Sequence, residues 1–188
     1  MKTAIILHGM PSEEEYRTLD GAEPAKQHWL QWLTEEFENA GIETHVPTFP
    51  EPYKPDYARW KDVFEKVPIA EDTILVGHSA GAGFIARWLS ENKIHVGKVA
   101  LVAPWLDPMP RTLKNGMFEF ELDPGVQDRA ESISIFVSAD DDKDIHDSVS
   151  YLKTEWPKAA IVEFMSKGHF TLTDMGTREF PELRNVFL

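Results

Sequence analysis

The chain has 188 residues, 42% of them apolar, a formal net charge of −13 and no cysteine. That length and composition suit one globular domain with a substantial core. The missing thiols exclude disulfides, thiolate catalysis and cysteine zinc sites, and so acidic a chain is a poor match for nucleic acid or an anionic membrane surface.

In chain order, strand-like apolar runs alternate with helical patterns, the sign of a parallel sheet covered by helices on both faces. The runs are Ala4–Leu7, Glu43–Val46, Thr73–Val76, Lys98–Val102, Ile133–Val137 and Ala160–Phe164. The first opens the chain but reaches His8-Gly9 too soon for a signal-peptide core. No segment is long enough to span a bilayer, so a cytoplasmic location and no membrane partner are expected. Ala-Ile-Ile-Leu and Val-Ala-Leu-Val lack polar alternation, as strands buried on both faces do.

A first helix is expected from Pro24 to about Ala40, with Pro24 in its first turn and Gly41 as its cap. Trp29, Trp32, Leu33, Phe37 and Ala40 then share one face. A second covers about Asp56–Val67, turning Trp60, Val63, Phe64 and Val67 inward, and a third runs from just after Ser79 to about Asn92. Two more are expected over Asp147–Glu155 and Thr177–Phe187. Met10–Glu23, polar and acidic, and Pro104–Arg129, interrupted by Pro108, Pro110 and Pro124, fit neither pattern. Each follows a strand, which places it over the carboxyl edge of the sheet, where α/β proteins bind ligands. The expected architecture is α/β: six parallel strands in the order 2-1-3-4-5-6 and helices on both faces.

The third strand runs into Gly77-His78-Ser79-Ala80-Gly81 and then at once into a helix. Gly-x-Ser-x-Gly between strand and helix is a nucleophile elbow: small neighbours permit a strained serine whose hydroxyl stands clear of the sheet. The unpaired amides at the helix start point to where an oxyanion would form. A serine needs a base within reach, and in this arrangement acid and histidine follow the serine in that order, each after a later strand. His169, in Lys167-Gly168-His169-Phe170 after the last strand, fits the base. His28 and His45 lie in a helix and a strand, the His78 side chain should point away from the site, and His95 and His146 lack the position.

The acid should leave the strand Ile133–Val137, where Ser138-Ala139-Asp140-Asp141-Asp142-Lys143-Asp144 follows. Asp140 is the first choice because it is the first carboxylate beyond the strand; Asp141 is the main rival and Asp144 a lesser one. The same run fails as an EF-hand loop, because Ile145 replaces the required glycine and Tyr151 the closing glutamate. The oxyanion donors are expected to be the amides of Ala80 and Met10, since Pro11 has none to give. Trp105 and Phe170 are the candidate substrate contacts; Met109, Met117, Phe118 and Phe120 suit an acyl pocket or a satellite core equally.

These residues resemble the small α/β-hydrolase family of retinoblastoma-binding protein 9-like serine hydrolases over nearly the whole chain. The likeness rests on His8-Gly9, His28-Trp29-Leu30-Gln31-Trp32, the elbow, Phe136-Val137-Ser138-Ala139-Asp140-Asp141 and Gly168-His169-Phe170. It implies a serine esterase with little or no lid, and it assigns the acid to the first aspartate of the pair, Asp140. Asp142-Lys143-Asp144-Ile145-His146 departs from the family's more apolar, proline-containing stretch.

The expected reaction is hydrolysis of a small or short-chain carboxylic ester through an acyl-enzyme, with Ser79, His169 and Asp140 as triad and neither metal nor organic cofactor. A thioesterase or amidase on the same triad, or an interaction module that keeps the fold without the catalysis, are the competing expectations. No protein partner is implied.

Overall fold

Six parallel strands make one sheet in the order β2-β1-β3-β4-β5-β6, in a computed structural model that describes residues 2–18 and 29–188. They are β1 (Thr3–Leu7), β2 (Glu43–His45), β3 (Ile74–His78), β4 (Val96–Val102), β5 (Ala130–Ser138) and β6 (Ala160–Phe164). The order is the expected one. Every pairing is parallel, with Ile6 beside Val76, Gly77 beside Leu101 and Val102 beside Phe136. The continuously apolar runs of β1, β3 and β4 are buried along almost their whole length, as helices on both faces require. Edge strands β2 and β6 stay partly exposed.

Helices α1 (Glu13–Thr18) and α2 (Trp29–Asn39) lie between β1 and β2, and α3 (Tyr57–Phe64) precedes β3. Within α2, Trp29, Leu30, Leu33 and Phe37 are buried. Of the face expected to turn inward, Trp32 is half-buried and Ala40 lies exposed beyond the helix end, while Leu30 is buried in addition. Gly41 stops α2 as expected: its φ is +77°, and the Ile42 amide donates back to the Phe37 carbonyl at 2.9 Å. The expected start at Pro24, and His28 with it, lie outside the described residues. Asp56 caps α3 by accepting the Arg59 amide at 3.0 Å.

Two helices depart from expectation. The first, α6 (Lys143–Glu155), begins inside the acidic run rather than at Asp147, with Asp142 as its cap residue. Carboxylates are favoured in a first turn, where they face the helix dipole, so the composition that reads as a loop starts a helix. Of the expected helix Thr177–Phe187 only α8 (Pro181–Arg184) forms, and a separate short helix, α7 (Leu172–Met175), precedes it. Gly176, at φ +66°, ends α7, and Pro181 has no amide with which to continue a helix through it.

Helix α4 (Ala80–Glu91) is buried on nearly every side, and α5 (Val126–Arg129) leads into β5. Chain direction across the sheet reverses between β1 and β3, so their carboxyl ends flank the crevice that such a reversal opens. Ser79 stands at that point. No helix among the described residues is long and apolar enough to cross a membrane.

Candidate active site

Ser79 has φ +52° and ψ −120°, a conformation that costs a non-glycine residue roughly 1–3 kcal/mol. Backbone bonds hold it there. Its amide donates to the Val102 carbonyl at 2.9 Å, and its carbonyl accepts the amides of Gly83 at 3.1 Å and Trp105 at 3.2 Å. The flanking glycines are there because nothing else fits. A Cβ on Gly77 would stand 2.6 Å from Ala82 Cα, and one on Gly81 would stand 2.4 Å from the His8 carbonyl oxygen. The elbow expected from the sequence is present in full.

Ser79 and His169 line one cavity of about 440 Å³, together with Met10, Trp105 and the start of α6 from Asp142 to Ile145. No direct hydrogen bond joins the two side chains among the described residues; such contacts often tighten only when substrate binds. His169 Nδ1 lies 3.0 and 3.1 Å from the two carboxylate oxygens of Asp141. A carboxylate only accepts, so Nδ1 carries the proton and Nε2 is left with a free lone pair. The Asp141 side chain is 1% exposed and that of His169 is 32% exposed. The pair is therefore buried on the acid's side and open on the base's side.

That geometry corrects the choice of Asp140. Its Oδ1 accepts the Ser138 hydroxyl at 2.5 Å and the Gly168 amide at 2.9 Å, and it makes no contact with the imidazole. Those two donors, Ser138 first, hold its carboxyl below the ordinary carboxylate value. The first carboxylate past the strand is nearest along the chain, but the turn decides direction. With the Asp141 amide bonded to the Ser138 carbonyl at 3.2 Å, Asp140 is aimed at the Lys167–Gly168 backbone and Asp141 at the ring. Asp144 lines the cavity without touching the imidazole.

The backbone carrying His169 is tied by side chains from three directions. Ser138 Oγ accepts the Lys167 amide at 2.7 Å, Asp140 takes that of Gly168, and Asp174 accepts that of His169 at 3.0 Å. From the elbow, His78 Nε2 donates to the His169 carbonyl at 2.8 Å. His78 does point away from the cavity, as expected, but into this bond. Sequence reasoning assigned nothing to Ser138 or Asp174; Thr171-x-x-Asp174, a capping box in the structure, was the available signal.

Phe170 is also corrected. It is fully buried, stacks on Phe180 at 5.5 Å and meets Phe164 edge-on at 5.6 Å, so it belongs to the core and not to the cavity. Positive φ at both Gly168 (+50°) and Phe170 (+56°) turns the chain so that the imidazole and the phenyl ring part company. Trp105, the other candidate contact, does line the cavity, as does Met10. Ala80 opens α4, where the first amides have no partner within the helix. No cluster of three or more histidine or acidic side chains able to hold a metal ion occurs among the described residues.

The whole architecture is shared with solved structures. The ydeN gene product of B. subtilis is 23% identical, with a TM-score of 0.82 over 99% of this chain and 96% of that one. Est1E from Butyrivibrio proteoclasticus, solved with ferulic acid bound, is 12% identical, with a TM-score of 0.65 over 99% and 90%. The methylesterase protein MES16 from Arabidopsis is 13% identical, with a TM-score of 0.62 over 100% of both chains. At such identities the likeness is one of fold. Comparison with curated proteins gives no match. A family model described as serine hydrolase matches residues 19–188, in keeping with the resemblance read from the sequence motifs, and the chain belongs to that family.

Proposed function

We propose that the protein hydrolyses small or short-chain carboxylic esters through a covalent acyl-enzyme, with Ser79 as nucleophile, His169 as base and Asp141 as the acid that orients it. One observation carries the reading: the imidazole held by buried Asp141 opens onto the same cavity as the strained serine of the elbow. His169 Nε2 takes the Ser79 proton as Oγ attacks the ester carbonyl. The amides of Ala80 and Met10 bind the oxyanion of the tetrahedral intermediate. As the intermediate collapses, the carbon–oxygen bond to the alcohol breaks, and His169 returns the proton to the departing alkoxide. Water, deprotonated by the same imidazole, then releases the acid and restores Ser79. Asp141 fixes the ring's tautomer and stabilises the imidazolium formed in each half.

The cavity wall includes Asp142, Lys143 and Asp144, and the one cation among them is paired with Asp147. A neutral ester is favoured over an anionic one on that account. The fold comparisons support the reading in kind, since two of the similar structures are an esterase by name and a protein solved with a phenolic acid.

Turnover of p-nitrophenyl acetate and butanoate by wild type and Ser79→Ala tests it. Loss of the nucleophile should lower kcat by about a million-fold, in effect to background. A fluorophosphonate should label wild type and leave the variant unlabelled. Equal turnover in the two proteins refutes the assignment.

A further inference from the structure

A second cavity of about 250 Å³ lies beside the first, walled by Leu106, Pro108, Met109, Arg111, Phe118 and Phe120 and by Asp147, Ser148 and Tyr151 of α6. Among the described residues none lines both, but the two linings meet through one ring contact and through residues close together in the chain. Trp105 faces the active cavity and meets the ring of Phe118, which faces the second, edge-on at 5.5 Å. Helix α6 continues the partition: Asp144 and Ile145 line the first cavity, Asp147 and Ser148 the second. Ser148 Oγ accepts the Leu106 amide at 3.0 Å and so ties the helix to the segment that follows Trp105.

We propose that Trp105 sets the length of acyl chain the active site accepts, its indole withholding the second cavity as room for an uncharged apolar tail. The proposal rests on the ester reading of Ser79 and adds to it the residue that limits substrate size.

Three observations argue for this occupant and this divider. The charged groups around the second cavity are already paired: Arg111 donates to the carbonyls of Leu106 at 3.1 Å and Asp107 at 2.9 Å, and Asp147 holds Lys143. Apolar surface from Leu106, Pro108, Met109, Phe118 and Phe120 then makes up somewhat more than half of what remains open to a ligand. The main chain of Trp105 is fixed beside the nucleophile, its amide on the Ser79 carbonyl at 3.2 Å. Its own carbonyl presses on α4, where a Cβ on Gly83 would stand 2.1 Å from it. The indole, by contrast, is only half-buried. Trimming it removes the larger of the two rings between the cavities, leaving that of Phe118, and keeps the backbone in place. An acyl chain that outgrows the first cavity meets the indole and stays in water; without the indole each further methylene enters apolar surroundings, worth about fourfold in kcat/KM.

The test is the ratio of kcat/KM for p-nitrophenyl octanoate to that for the acetate, which an overall loss of activity does not move. Wild type should favour acetate. Trp105→Ala should raise the ratio roughly 50-fold or more, and Trp105→Phe, which keeps an aromatic ring for folding, should raise it by less. Adding Phe120→Trp to Trp105→Ala refills the second cavity and should take back most of the gain. The proposal is overturned if wild type already prefers octanoate, or if both Trp105 variants shift the ratio less than threefold while Ser79-dependent acetate hydrolysis persists. Wild type without Ser79-dependent hydrolysis of any ester brings down the ester reading, and this one with it.

Discussion

The elbow around Ser79 and the turn around His169 hold their side chains in place by different means. At the elbow the restraint is steric and local. Gly77, Gly81 and Gly83 lie where any Cβ would run into backbone, and the strained serine is pinned by main-chain bonds alone. In the turn the main chain makes few bonds of its own. Consecutive amides of Lys167, Gly168 and His169 are taken by Ser138, Asp140 and Asp174, and the His169 carbonyl by His78. Sterics make the elbow intolerant of added volume. Side-chain ties make the turn tunable, one carboxylate or imidazole at a time.

Within the turn, the largest expected effect separates two adjacent aspartates. Asp141→Asn offers the ring an amide and loses control of its tautomer, so kcat should fall about 10,000-fold, the order seen when a triad aspartate becomes asparagine elsewhere. Asp140→Asn keeps an oxygen for the Gly168 amide and should cost less than about tenfold. Steady-state kinetics of the two variants decides the matter, and a reversed order would return the triad role to Asp140. Next comes the elbow. Gly81→Ala places its methyl 2.4 Å from the His8 carbonyl and should destabilise the fold by about 3 kcal/mol, roughly 10 °C in Tm. A thermal transition unmoved by that methyl would show the elbow to have slack.

The same contrast explains what was legible in the sequence. The elbow is written in five consecutive residues and the six parallel strands in the alternation of apolar runs with helical patterns, because both follow from short-range sterics and burial. His169 followed from chain order. The acid missed by one residue, since choosing between Asp140 and Asp141 depends on how Ser138 and Gly168, far apart in the chain, fix the turn. Phe170 follows the base directly in the chain, yet a positive φ sends it into the core beside Phe180. The late start of α8 stood in plain view at Pro181, whose missing amide bars a helix from running through it from Thr177; helical spacing alone hid it.

His78 joins the two regions, lying in the elbow and bonding to the turn. His78→Leu leaves the His169 carbonyl without its donor and lets the imidazole shift, so kcat should drop about tenfold with KM little changed. His78→Gln, which restores an N–H, should recover part of the loss. A proportional fall in thermal stability with no split between kcat and KM would make His78 a packing residue only.

The smallest effect is also the most selective. The Asp140 carboxyl sits below its ordinary value of 3.8 in the folded protein, held there first by the Ser138 hydroxyl and then by the Gly168 amide. A depressed folded value means that the tie contributes fully above the unfolded value and is lost as pH falls through the lower folded one. Protection of the Gly168 amide against hydrogen exchange, corrected for the intrinsic rate, should therefore decline as pH drops below the usual carboxylate range. The Gly83 amide, which donates to the Ser79 carbonyl at 3.1 Å with no ionisable group in the bond, should keep its protection over the same range. Asp140→Asn should erase the pH dependence at Gly168 and leave Gly83 as it was. If both amides loosen together, acid opens elbow and turn as one unit, and the distinction between a steric anchor and a side-chain anchor fails.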